Sequence, residues 1–159
     1  MSRTHKVYHR SVTPDQKFGS LTLTKLVNRV MKSGKKTVAQ NQVYQCLDLL
    51  KKDLNQDPLE SLESALKNIT PQMEVRSRRV GGAAYQVPLP VKTGRASSLA
   101  IRWLVLEAKK RSSSDYHTFA EKLAAEVKDA LQNQGGAVQK KITSHKMADA
   151  NKAFAHFRW

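Results

Sequence analysis

"EVRSRRVGGAAYQV", residues 74–87, decides how this chain is read. Val75, Ser77 and Arg79 alternate with Arg76 and Arg78; past Gly81 and Gly82, Tyr85, Val87 and Leu89 alternate with Gln86 and Pro88. Period two on both sides of a glycine pair predicts a β-hairpin over residues 74–91. Pro88 and Pro90 cannot donate to a central ladder, so their strand has an open edge. Two strands alone are marginal in water. The pair must therefore lean on other elements at its base and project at its tip.

Those other elements are helices. Leu23, Leu26, Val27, Val30 and Met31 recur at helical spacing after Ser20, and Ser33-Gly34 offers a left-handed stop. A second helix opens near Thr37 and carries Val43, Leu47, Leu50 and Leu54. "DPLE" at 57–60 starts a third, with Asp57 as N-cap, Pro58 in the first position and Glu60 completing a capping-box variant. Its buried face is Leu59, Leu62, Leu66 and Ile69, and Thr70-Pro71 ends it. Beyond the hairpin, a fourth helix spans roughly 97–111 with Leu99, Trp103 and Leu106 inward. A fifth begins near Asp115 with Phe119, Leu123, Val127 and Leu131. A sixth runs from about Val138 with Met147, Ala150, Phe154 and Phe157 as its stripe. The expected fold is mainly α: six helices with a hairpin arm between the third and fourth. Residues 1–19 read as an extended basic arm, and the 159 residues as one domain (20–70 helices one to three, 97–157 helices four to six).

Charge points to the partner. Lys and Arg total 28 against 13 Asp and Glu, a net +15, and a balance this basic implies a polyanion, nucleic acid above all. The charge is also segregated. Residues 1–36, 75–111 and 137–159 hold nine, nine and five bases against one acid each, while the intervening stretches are net acidic. The basic blocks read as contact surface and the others as scaffold, their acids (Glu121, Glu126 and Asp129 among them) spaced like solvated faces.

The candidate contacts follow block by block. In the N-terminal arm they are Arg3, Lys6, Arg10 and Lys17; on helix one and its loop, Lys25, Arg29, Lys32, Lys35 and Lys36. In the hairpin, Arg76 and Arg78 share one face with Arg79 opposite. Their guanidinium forks suit phosphate oxygens, Tyr85 offers a stacking ring, and Gly81 and Gly82 allow close backbone approach. Arg95 lies in the run between the hairpin and helix four, and Arg102, Lys109 and Arg111 belong to that helix. Lys140, Lys141, His145, Lys146, Asn151, Lys152, His156, Arg158 and Trp159 complete the set. Phe154 and Phe157 read as core; Trp159 reads equally as core or contact.

Catalysis and metal binding find no support. The five histidines are scattered, one cysteine stands alone, and His5 and His9, though spaced i, i+4, lie in the N-terminal arm. "SGKKT" at 33–37 lacks the first glycine and the preceding strand of a phosphate-cradling loop. No cofactor and no small-molecule substrate are expected. Cys46 reads as a buried structural thiol. No run approaches the roughly 20 apolar residues of a membrane span, and the opening "MSRTHKVYHR" has no apolar stretch behind its charges, so neither a membrane partner nor a secretory leader is expected.

"KFGSLTLTKLVNRVMKSGKKTVAQ", "EVRSRRVGGAAYQVPLPV", "LAIRWLV" and "HKMADANKAFAHFRW" resemble, in order and spacing, the bacterial-type small-subunit ribosomal protein seven family, from about residue 13 onward. The resemblance implies a non-enzymatic helical protein with a protruding hairpin. It implies a primary binder of the 3′ major domain of small-subunit rRNA that nucleates assembly of the subunit head. Its arm would lie near exit-site tRNA and messenger, with small-subunit proteins nine and eleven as neighbours. It would work in a cytoplasmic ribosome of bacterial type, an organelle ribosome being the other location. "PVKTGRASS" is less basic than the family's usual run, so no strong contact is assigned to Ser97 or Ser98. Two other classes compete. An architectural DNA-bending protein also joins a helical body to a β-arm, but "GGAA" offers no apolar wedge at the tip. An RNA-processing enzyme would need clustered acids or a histidine-based site.

Overall fold

The computed structural model describes residues 11–157. Six α-helices, one two-stranded antiparallel sheet and a closing 3-10 helix follow in order: α1 (Leu21–Val30), α2 (Lys36–Leu54), α3 (Pro58–Ile69), β1 (Met73–Val80), β2 (Ala83–Pro90), α4 (Thr93–Lys110), α5 (Phe119–Leu131), α6 (Gly135–Ala150) and the 3-10 helix (Lys152–Phe157). The fold class is as expected, mainly α with the hairpin between α3 and α4.

Local chemistry sets the boundaries. Ser20 caps α1, its Oγ accepting from Leu23 N at 3.4 Å. Asp57 caps α3, accepting from Leu59 N at 2.9 Å, with Pro58 following. The reciprocal capping box appears at α5: Thr118 Oγ1 accepts from Glu121 N at 3.3 Å while Glu121 accepts from Thr118 N at 3.4 Å. That cap moves the start of α5 from the expected Asp115 to Phe119, because Ser112, Ser114 and Asp115 bond among themselves in the preceding turn. Helix α1 ends at Val30, short of Ser33-Gly34; both of those residues have positive φ in the linking turn.

One apolar core joins α1 to α6. Leu23, Leu26, Val27, Val43, Leu47, Leu50, Leu62, Ile69, Leu104, Leu123 and Val127 are its largest fully buried side chains. α5 packs against α2, α3 and α4, and α4 also meets α1 and α6. Cys46 lies in this core, and burial pushes its thiol up to about 12.

Two expected faces, one helix end and one extended segment are corrected. In α4 the buried line is Ala96, Ala100, Ile101, Leu104, Val105 and Ala108, while Leu106 is exposed. A helix wedged between four others buries small residues where they cross, so bulk misleads. In α6, Met147 is 55% exposed and the inward residues are Ala137, Val138 and Ala148. The sixth helix stops at Ala150, and Phe154 and Phe157 lie in the 3-10 helix, packed on the hairpin and only partly buried. Of the expected N-terminal arm, residues 15–18 are docked on the body rather than extended. Asp15 is buried, accepts from Lys17 N and Phe18 N, and receives the Tyr44 hydroxyl at 2.9 Å; Phe18 packs on Tyr44.

The hairpin matches its sequence reading. Val80 pairs with Ala83 across Gly81 (φ 56°) and Gly82 (φ 93°), a two-residue turn whose central residues both need positive φ. A Cβ at Gly82 would meet nothing within 4 Å, so its cost is conformational alone. Gly82→Ala should cost about 1–2 kcal/mol, confined to the arm. Amide exchange near the tip should quicken roughly 5- to 30-fold while global melting stays put.

Candidate nucleic-acid interface

Lys25 and Arg29, at i and i+4, are exposed on the side of α1 away from Leu23, Leu26 and Val27, and Lys32 is exposed in the turn just past the helix end. α4 runs alongside. A groove between them is lined by Lys25, Asn28, Arg29, Ser98, Ile101 and Arg102, and continues past Val105, Leu106 and Lys109. Tertiary packing thus merges two basic blocks some seventy residues apart. Partial burial first, then the like charges of Lys32 and Arg29, hold the Lys109 ammonium below the ordinary lysine range. At the same end, Lys35 and Lys32 rim a hollow floored by Val30, Val38, Ala39 and Phe119. Lys36 lines a different hollow beside Thr13, Asp15 and Gln40, so the two loop lysines serve separate places. Lys17 stands over the rings of Phe18 and Tyr44, at 5.3 and 5.2 Å from their centroids, and is held by the body.

In the arm, the register puts Arg76 opposite Val87 and Arg78 opposite Tyr85, on one face with Glu74; Arg79 opposes Ala84 on the other. Arg76, Arg79, Gly81 and Gly82 are exposed, and Arg78 is partly so. Tyr85 is not a free stacking platform. Its ring contacts Phe154 and Phe157, with centroids at 5.2 and 5.3 Å, so the 3-10 helix braces the arm. Glu74, which the sequence reading passed over, binds Arg76 and Arg95. Burial alone would raise its pKa, but the two guanidiniums outweigh that and hold its carboxyl below the usual glutamate range. The linked stability is therefore full above about pH 4.3, the ordinary glutamate value, and is lost as pH falls through the lower folded-state value. Urea unfolding across that acid window should show this sensitivity in the wild type and lack it in Glu74→Gln.

The C-terminal candidates divide. Lys140, Lys146, Lys152 and His156 are exposed, and Arg102 is exposed on α4. Lys141 instead donates to the Asn68 carbonyl at 2.9 Å, and His145 Nε2 accepts from Gln72 N at 3.0 Å. With Ser144 donating to the Met73 carbonyl at 3.1 Å, they dock α6 onto the α3–β1 junction. Asn151 donates to the Met147 carbonyl as a helix-end cap, and His156 lies against Phe157 at 4.0 Å between centroids. Arg111 is interior. It binds Glu126 at 2.7 Å and also Asp129, and stands over the Tyr116 ring. Glu126 is only 2% exposed and takes Ala137 N at 2.9 Å, so it is no solvated acid but the cap of α6 from a distance. Gly135 (φ 89°) makes room, since a Cβ there would lie 3.1 Å from Glu126 Oε1. Arg3, Lys6, Arg10, Arg158 and Trp159 fall outside the described residues, as do His5 and His9.

Lys110, exposed at the end of the groove and paired with Glu107 at 2.8 Å, is a further cation that the reading omitted; its place beside Lys109 was the available signal. Among the described residues, no three His, Cys, Asp or Glu side chains converge on a metal position, and no helix is long and apolar enough to cross a membrane. What the surface presents is a set of cations at helix and hairpin spacing, suited to a phosphate backbone.

Comparison with known proteins agrees. The family model described as ribosomal protein S7p/S5e matches residues 2–152. Small ribosomal subunit protein uS7A/uS7B of Cereibacter sphaeroides is 53% identical over 159 residues, all of both chains. Small ribosomal subunit protein uS7 of Rhizobium johnstonii is 51% identical and that of Sinorhizobium medicae 50%, again over the full length of each. A match over nearly the whole sequence, on a helical body with the hairpin in place, means that this chain belongs to the ribosomal protein S7p/S5e family.

Proposed function

We propose that this protein anchors in the 3′ major domain of small-subunit rRNA, nucleates folding of the subunit head there, and holds its hairpin toward exit-site tRNA and messenger. Membership of the family makes it a structural, non-enzymatic protein of the small ribosomal subunit. Within that role the anchoring surface is the α1–α4 groove with the exposed lysines of α6, and the arm is the projecting element. Small-subunit proteins nine and eleven are the neighbours, and the chain acts as one domain. The observation that carries the proposal is the α1–α4 groove, where Lys25, Arg29, Arg102 and Lys109 from two basic blocks line one surface that a phosphate backbone would neutralise. RNA helices display phosphates and 2′-hydroxyls more than readable base edges, so shape and charge dominate recognition.

The test is binding to a transcript of the 3′ major domain against tRNA and duplex DNA, from about 50 to 200 mM salt, where proteins making several phosphate contacts lose orders of magnitude in affinity. Preference for the rRNA fragment that persists at the higher salt is the expected result. Equal binding to all three, released together, would overturn the proposal. Tighter binding to bent duplex DNA would favour the architectural reading, against which stands a tip of two glycines and two alanines with no wedge.

A further inference from the structure

We infer that Glu74 is a positioning residue for RNA binding: its carboxylate, largely shielded from solvent, grips Arg76 of the arm and Arg95 of the body helix and presents the two guanidiniums as one preformed phosphate clamp. The inference rests on the RNA-binding role proposed above. An acid among arginines that must meet phosphates is at first sight a liability, since it repels the partner and neutralises part of the patch.

The geometry argues for a purpose. The Glu74 side chain is 11% exposed, yet those of Arg76 and Arg95 are 53% and 50% exposed. Each arginine is thus gripped on one side and presented on the other. Arg95 uses Nε alone, at 2.9 and 2.7 Å to the two oxygens. Arg76 uses Nε and one Nη on Oε1, both at 2.7 Å. A guanidinium has five N–H donors, so most of those on the pair are not used by Glu74. The two arginines come from different elements: Arg76 from the middle of β1, Arg95 from the first turn of α4. One carboxylate therefore sets both their spacing and the angle of the arm to the body. The bracing of Tyr85 by Phe154 and Phe157 holds the same face of the hairpin further out. Rotamer freedom of two long side chains is given up on folding rather than on binding, which is how preorganisation raises affinity.

Plain electrostatics and positioning predict opposite signs. Glu74→Gln removes a negative charge from a +15 protein, so by charge alone it binds RNA more tightly and with a steeper salt dependence. Under the inference it binds more weakly. Loss of one to two phosphate contacts lowers the salt slope by about 0.9 to 1.8 and costs roughly 5- to 30-fold in affinity at 0.15 M salt. Glu74→Asp keeps the charge but shortens the reach, so charge alone predicts no change and positioning predicts part of the loss. Arg95→Lys keeps the net charge and breaks the fork; it should weaken binding as well, and it serves if Glu74→Gln fails to fold.

The experiment is a salt titration of wild type and the three variants on the rRNA fragment, with a thermal melt of each. Weaker binding and a shallower slope in folded Glu74→Gln, with Glu74→Asp between, is the expected outcome. Equal or tighter binding by folded Glu74→Gln, or by Arg95→Lys where that stands in, overturns this inference alone, the wild type still preferring rRNA. No preference in the wild type itself overturns the RNA-binding role and this inference with it.

Discussion

Arg111→Ala is expected to destabilise the protein by about 3–5 kcal/mol, the range for breaking a buried ion pair by removing one partner. Deleting the guanidinium leaves Glu126 facing the interior with only Ala137 N as a donor, and frees Asp129 beside it. Three elements are loosened together: the end of α4, the middle of α5 and the start of α6. For a chain of this size the loss corresponds to a fall of roughly 6–20 °C in melting temperature. Thermal and urea unfolding decide the matter. A shift under 1 kcal/mol would mean that water reaches Glu126 and that Arg111 is an ordinary surface cation after all. Binding of the surviving folded protein to rRNA should barely change, which separates Arg111 from its neighbour Lys109.

The second large effect is on binding. Arg29→Ala, Arg102→Ala and Lys109→Ala combined should flatten the salt dependence of rRNA binding by about 2.7 and cost on the order of 10²-fold in affinity at 0.15 M, each lost phosphate contact accounting for about 0.9 of slope. Stability should hold or rise, because like charges that crowd one another in the folded state are removed. A gel-shift or anisotropy titration at several salt concentrations reads both quantities. An unchanged slope would mean that the α1–α4 groove faces away from the RNA and that the arm and α6 carry the contacts.

Comparing these two residues shows what a sequence can disclose. Arg111 and Lys109 sit two apart in the same basic block, and composition cannot separate them. The difference is made by Glu126 and Asp129 on another helix, so only tertiary structure locks one basic residue into an ion pair and leaves the other on the surface. The hairpin is the reverse case. Alternation and a Gly-Gly turn are local instructions, and the observed register agrees with them residue by residue. The inward face of α6 was illegible for a third reason: it is partly polar, with Lys141, Ser144 and His145 satisfied by backbone groups of residues 68–73. Hydropathy puts such residues outside and draws in Met147, which is exposed. Glu74 escaped notice because an acid among arginines reads as a surface ion pair until its burial is seen.

Cys46 gives the folded chain a silent reporter. Its sulfur lies in the core of α2, and burial holds the thiol up to about 12, so at neutral pH almost none is the thiolate that alkylating reagents attack. The same sulfur in an opened chain has ordinary reactivity. With one cysteine in 159 residues, a thiol reagent added to the native protein has a single target, and its labelling rate clocks how often the helical core comes apart. Released from RNA and from its neighbours, the protein can be timed by that one atom without any engineered probe.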